Sequence, residues 1–241
     1  MILELEDKIK TIVEKTNLQH IAVIMDGNRR WAKMNNLPSP VGHKKGVDSL
    51  KNTLIACDKF GVKHLTVYAF STENWNRKEE EVTFLMDLFC KAIENEIEEL
   101  NQNKVKIDFL GDTSNLSDSV LKSLNFAKES TKNNTGVNLH VAFNYGARAE
   151  IVNAVKNIIR KGIPADDITE DVISNELYTS GLPNPDLLIR TGGEKRISNY
   201  LLWQLAYSEL YVTQKLWPEF GEEELSEAIS EFGSRQRRFG V

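Results

Sequence analysis

Short apolar runs alternating with longer amphipathic stretches constrain this 241-residue chain more than any other feature. The runs cover residues 20–25, 64–70, 105–110, 137–143 and 186–189, with a sixth candidate at 209–212. They are rich in Val, Ile, Leu and Phe, and several are apolar on both faces. That pattern suits central strands of a sheet covered on both sides. Helical spacing fills the intervals: 44–60, with apolar Val47, Leu50, Leu54 and Ile55, then 79–100, 115–132 and 147–160, and finally 222–232. Strand–helix alternation implies right-handed crossovers and a mostly parallel sheet. The expected fold is therefore α/β, a single domain whose central sheet is flanked by helices. Residues 1–17 read as an N-terminal helix ahead of the main body, 18–241. The polar stretch 162–176 reads as a surface connection with a short helix.

The helix expected over 79–100 has an unusual first half. Residues 84–89 are apolar nearly all round, where a surface helix shows one stripe. It is either deeply buried, or it sets one face on the sheet and another along an apolar cavity.

Composition excludes several classes. A net charge of −5 argues against a general nucleic-acid binder, which carries a basic excess or stripe. Cys57 and Cys90 are too few for a disulfide framework and lack metal-ligand spacing, so a reducing cytoplasm is expected. The first ten residues mix acidic and apolar side chains and do not read as a signal peptide. No stretch reaches the ~18 apolar residues needed to span a bilayer.

In an open α/β sheet, ligands bind beyond the carboxyl ends of the strands. Five runs here end in polar segments: DGNRRW (26–31), STENWNR (71–77), GD (111–112), NYGAR (144–148) and RTGGEKR (190–196). Singly, each reads as a turn, a polar loop or a solvated helix start. In a parallel sheet they share one rim, with glycines, arginines, amides and hydroxyls on it. Glycines let backbone N–H groups approach a phosphate, and guanidinium forks match its oxygens. Asp26 among those arginines would repel a bare diphosphate. It fits if Mg²⁺ lies between them, because Mg²⁺ is commonly held by one or two carboxylates plus substrate phosphates. Glu209 is a candidate second carboxylate. The acidic stretch 166–171 reads as capping of a short helix.

The segments HIAVIMDGN (20–28), GHK (42–44), YAFSTENWNR (68–77), NYG (144–146), DLLIRTGGEKRIS (186–198) and LLWQLAYSELY (201–211) resemble the cis-prenyltransferases, undecaprenyl diphosphate synthases in particular. Trp217, Pro218 and the tail RRFG (237–240) also fit. The resemblance runs from about residue 18 to the end, and its motifs together are highly specific. It implies a homodimer, each subunit having a six-stranded parallel-sheet core and an apolar tunnel between sheet and helices. It implies Mg²⁺ as cofactor and two diphosphate sites at the tunnel mouth. One takes an allylic primer such as farnesyl diphosphate, the other isopentenyl diphosphate, and the product is a Z-polyprenyl diphosphate. An apolar product implies peripheral contact with a membrane.

Carried over by position, Asp26 is the essential carboxylate, bound to Mg²⁺ or poised beside the allylic diphosphate. Gly27, Asn28, Arg29 and Arg30 cradle that diphosphate, with His43 nearby. Trp31 and Trp75 flank the substrates, and Thr72 and Glu73 lie in the same substrate-binding motif. Ser71 and Asn74 are placed for proton removal or relay, and Arg77 helps on the primer side. Arg190, Arg196, Ile197 and Ser198 hold isopentenyl diphosphate. Glu209 joins the metal site, and residues 238–240 complete the neighbouring subunit's site.

Chemistry asks for these residue types. Carbon–oxygen cleavage puts negative charge on the leaving diphosphate, which arginines, amides and Mg²⁺ stabilise. Asn74 is an amide and a poor base, so it reads as a positioner. Three departures stand out: Arg29 where many family members have glycine, although an Arg-Arg pair also occurs, Ser39 where the family usually has an arginine gripping the primer diphosphate, and Ala147 in place of a common glycine. Ser39 keeps open a diverged short-chain prenyl-coupling enzyme. A non-catalytic partner subunit would have lost Asp26 or the isopentenyl arginines. Tunnel-wall candidates are Ala69, Leu85, Met86, Leu88, Phe89, Val105, Phe109, Leu139, Val141 and Phe143.

Overall fold

The computed structural model describes residues 2–235. Its centre is a six-stranded sheet made of β1 (His20–Ile24), β2 (His64–Ser71), β3 (Lys106–Leu110), β4 (Asn138–Tyr145), β5 (Leu187–Arg190) and β6 (Glu209–Val212). The spatial order is β3-β4-β2-β1-β5-β6, and every neighbouring pair is parallel. The sheet is thus wholly rather than mostly parallel. The expected tail contribution at 238–240 lies outside the described residues.

A continuous apolar run serves a strand with two buried faces because side chains alternate. Along β1, Ile21 and Val23 enter one hydrophobic cluster, while Ala22 and Ile24 enter a second on the opposite face. The larger cluster lies under α1 (Ile2–Thr16), α3 (Ser39–Phe60), α4 (Glu79–Gln102), α5 (Asp118–Thr131) and α8 (Glu222–Ser234). The other face carries α6 (Ala147–Arg160), with α7 (Glu170–Glu176) packed on it, and the segment around Tyr200 and Leu201. On α6, Val152, Val155 and Ile159 remain exposed.

The third helix starts five residues before the expected position 44, although its first residues read Pro-Ser-Pro. Pro40 sits in its first turn, where the missing N–H has no helical acceptor to lose. Helix α2 (Asn28–Met34) is a short piece directly after β1.

Candidate active site

The polar rim forms because parallel strands end together. Ile24 pairs with Arg190, and Arg190 pairs with Val212, so the chain leaves β1 and β5 side by side. Beyond β1 the backbone turns at Gly27, whose φ of +121° a side chain rarely adopts, and enters α2.

Asp26 is clamped from two directions. Its Oδ1 lies 3.1 Å from Arg30 Nη2, and its Oδ2 accepts from Arg190 Nη2 at 3.0 Å. Its carbonyl accepts from Thr191 Oγ1 at 2.6 Å and from the Trp217 N–H at 3.0 Å. Arg30 also donates to the Gly192 carbonyl at 2.7 Å, which ties α2 to the turn after β5. Arg190 is only 5% exposed. It also donates to Ser198 Oγ at 2.9 Å and to the Arg196 carbonyl. One buried guanidinium thus joins the Asp26 turn to the 196–198 loop. Ser198 and Asn199 in that loop adopt left-handed backbone, with φ of 51° and 59°.

A cavity of about 430 Å³ opens here, lined by Met25, Asp26, Gly27, Asn28, Arg29, Arg30, Lys33, His43 and Arg77. Its cations are only partly balanced. Glu81 lies 2.9 Å from Arg77 and 3.6 Å from Arg29. Burial, and then the nearby Arg77 and Arg29 cations, push His43 down to about 4, with Glu81 opposing. The imidazole is therefore neutral near pH 7. Asn28 Oδ1 and His43 Nε2 are buried without a hydrogen-bond partner among the described residues. Polar atoms in that state commonly await a ligand or water.

Met25, Asn28 and His43 also line a second, largely apolar cavity of about 180 Å³. It lies between the sheet and α3 and α4, and Val47, Leu50, Ala69, Leu85, Phe89 and Phe143 contribute to its walls. Leu88, Leu139 and Val141 line it too. On α4, Leu85, Leu88, Phe89 and Ile93 line this cavity, and Val82, Ile93 and Ile97 are buried. Met86 and Phe109 instead pack against the core, and Val105 faces a small outer pocket.

Other expected residues lie elsewhere. Thr72 and Trp75 line a neighbouring open cavity of about 550 Å³. Trp75 is 43% exposed, and its indole N–H donates to Asn144 Oδ1 at 2.7 Å. The Ser71 N–H donates to Asn74 Oδ1 at 3.2 Å, so the Asn74 amide closes the turn after β2. Glu73 accepts from Asn199 Nδ2 at 2.8 Å and bridges that turn to the 196–199 loop. Trp31 is half-buried outside the 430 Å³ cavity. Arg196 is exposed and ion-paired with Glu194 at 2.5 Å, and Ile197 packs on the second cluster. Ser39 is half-buried at the start of α3 and does not line the rim cavity.

Glu209 is not brought to Asp26 within one chain. It opens β6 opposite Leu187, which opens β5, so it lies at the amino ends of the strands. There it pairs with Arg235 at 2.8 Å. Among the described residues, no three metal-ligating side chains cluster. Sequence reading missed Glu81 and Asn199. For Glu81 the signal was its place in the acidic first turn of α4, four residues after Arg77, which precedes the helix.

Comparison with known proteins shows to which family the chain is similar. The family model described as "Putative undecaprenyl diphosphate synthase" matches residues 24–240. An isoprenyl transferase of Clostridium perfringens is 50% identical over 233 residues, covering 95% of this chain and 92% of the relative. One from Neisseria gonorrhoeae is 47% identical over 237 residues, covering 98% and 95%. Among solved structures, lavandulyl diphosphate synthase from Lavandula x intermedia, in complex with dimethylallyl diphosphate, superposes with a TM-score of 0.89 at 36% identity. That match covers 92% of this chain and 98% of the other. A "probable undecaprenyl diphosphate synthase" from Campylobacter jejuni gives a TM-score of 0.79 at 34% identity, covering 93% and 99%.

Proposed function

The chain belongs to the undecaprenyl diphosphate synthase family and is a prenyl-transferring enzyme, and from that premise we propose that it condenses isopentenyl diphosphate with an allylic diphosphate, farnesyl diphosphate as primer, to build a Z-polyprenyl diphosphate such as undecaprenyl diphosphate. The observation that carries this reading is the meeting of two cavities. The arginine-rich rim cavity and the apolar cavity share Met25, Asn28 and His43. A molecule with a diphosphate head and a hydrocarbon tail fits across that junction.

In this reading Arg29, Arg30, Arg77 and the amides around Gly27 and Asn28 take the primer diphosphate. Preorganised donors of this kind stabilise the charge that grows on a leaving group. Neutral His43 offers a ring N–H or a lone pair without adding a cation. Arg190 holds Asp26 and the 196–198 loop in one frame, with Arg196 and Ser198 at the isopentenyl diphosphate site. The metal also fits: Mg²⁺ uses one or two carboxylates plus substrate phosphates, and Asp26 is an accessible carboxylate on the rim cavity. When bound, Mg²⁺ supplies charge neutralisation at the diphosphate. Asn74 positions the turn, and the departing proton goes to a diphosphate oxygen or through Ser71. Unchanged turnover in both Ser71→Ala and Asn74→Ala would remove those residues from the proton step.

Two copies pair in this reading. Exposed Val152, Val155 and Ile159 on α6, with Tyr207 and Leu210 near the β6 edge, support a homodimer, which sedimentation measures. No helix among the described residues is long and apolar enough to cross a membrane. Membrane contact is peripheral and made through the product. The direct test incubates the protein with labelled isopentenyl diphosphate, farnesyl diphosphate and Mg²⁺. Label should move into a lipid fraction of defined chain lengths and stay out when EDTA is present. No transfer to lipid under these conditions would refute the reading.

A further inference from the structure

The apolar cavity ends on charge. It meets the rim cavity at His43 on α3, and Lys51, Leu54, Glu96 and Leu100, farther along α3 and α4, also line it. Lys51 lies on the order of 12 Å along α3 from His43, at 1.5 Å per residue. Its Nζ is 2.7 Å from Glu96 Oε2 and 2.6 Å from Glu99 Oε2, so one ammonium staples α3 to two successive turns of α4. The two carboxylates hold the ammonium well above its ordinary pKa. A pocket of about 50 Å³ lies beyond, and the same four residues line it together with Ile55 and Val105. The ion cluster is thus a partition between a hydrocarbon-lined cavity and an outer pocket that is itself partly apolar.

We propose that the Lys51–Glu96–Glu99 cluster is the distal stop of the prenyl-binding cavity and sets the length at which chain growth ends. The inference rests on the prenyl-transfer reading above. A growing tail can fill apolar space up to this point. To go further it must part α3 from α4, separate Lys51 from both carboxylates and put hydrocarbon beside an unpaired ammonium. Growth therefore stalls when the tail reaches Lys51. Methionine at position 51 would keep most of the stem volume, remove the charge and bend easily. Glu96 and Glu99, both part-exposed, could then turn to water. The way past Leu54 into the outer pocket would be open.

The test compares wild type, Lys51→Met, Lys51→Arg and the double variant Glu96→Gln with Glu99→Gln. Each receives farnesyl diphosphate, labelled isopentenyl diphosphate and Mg²⁺. Products are dephosphorylated and separated by length, and the distribution is read per chain started, so slower turnover does not mimic the effect. Lys51→Met removes the charge, and the double glutamine variant frees the part-exposed Lys51 to carry its ammonium out to water, so both should move the most abundant product longer by at least one five-carbon unit. Lys51→Arg should keep the wild-type distribution. If Lys51→Met does not fold, as judged by its thermal transition, the double variant carries the same expectation. Folded variants that end chains at the wild-type length, or shorter, would overturn the inference while leaving the prenyl-transfer reading standing. A wild-type protein that incorporates no label would overturn that reading first, and this inference with it.

Discussion

Replacing Gly42 by alanine tests whether the site is held by a backbone contact between α2 and α3. A Cβ added there would lie 2.1 Å from the Asn28 carbonyl oxygen and 2.9 Å from its carbon. The obstacle is backbone, so α2 must yield by something like 1 Å. Asn28 is the first residue of α2, one residue after Gly27 and two after Asp26, so the shift passes directly to the clamped carboxylate. Overpacking of this kind costs about 1–3 kcal/mol. Alanine in a helix interior regains about 0.8–1 kcal/mol over glycine. The net loss is therefore about 0–2 kcal/mol, which at ~2–4 °C per kcal/mol for a domain of this size lowers Tm by less than about 8 °C. Catalysis is far more sensitive, because a ~1 Å misplacement of reacting groups can cost ~100-fold in rate. The expected signature is a large fall in kcat/KM for labelled isopentenyl diphosphate, with a small fall in Tm. Gly46→Ala is the control. Its Cβ would meet side-chain atoms, the Asn28 side-chain oxygen at 2.6 Å and Cδ1 of buried Trp217 at 3.0 Å, so the α2 backbone is not pushed directly. Wild-type kcat/KM in Gly42→Ala, or a greater rate loss in Gly46→Ala, would refute the reasoning.

Asp26→Asn keeps the shape but removes the charge that faces Arg30 and Arg190. A charge-assisted hydrogen bond contributes about 1.5–3 kcal/mol, and Asp26 is part-exposed, so stability should fall by about the lower figure. Turnover should fall by orders of magnitude and not recover at high Mg²⁺, as a magnesium titration would show. Ser39→Arg should tighten primer binding by roughly tenfold if the new guanidinium reaches the diphosphate. A farnesyl diphosphate affinity that stays flat or falls would count against it. Acid should destabilise the fold through the histidines at the other end of the sheet. Burial pushes His20 to about 4 and His140 to about 3. The Pro183 carbonyl and then Asp186 raise His20 while His64 lowers it, and His20, His64 and Lys106 lower His140 while Asp108 raises it. The unfolded chain protonates these rings near ~6.5, so it binds more protons below that pH. Their contribution is complete above about 6.5 and is lost as pH falls toward the folded values. Thermal melts should show a drop in Tm across that window, and His140→Gln should make the drop shallower.

The strands were legible because periodicity is a property of the local chain. Residues 209–212 were expected as a strand and form β6, and 147–160 were expected as a helix and form α6. The rim followed from strand direction, since parallel strands must end on one side. By the same logic Glu209, which begins the sixth run, had to fall at the opposite rim. Asking which end of a strand carries each residue would have separated it from Asp26. The Pro-Ser-Pro start of α3 was obscured because proline reads as a breaker unless its place in the first turn is known.

What sequence alone determined about this protein is therefore its α/β class, its sheet direction and the set of polar groups at one edge. All of these depend on spacing along the chain. Tertiary structure decided which of those groups touch: Arg190 on Asp26, Glu81 between Arg29 and Arg77, and Lys51 on Glu96 and Glu99. The partners in the first and last sets, and Arg29 and Glu81, lie far apart in sequence. Such contacts depend on which faces of packed helices meet, and no periodicity of a single segment encodes that.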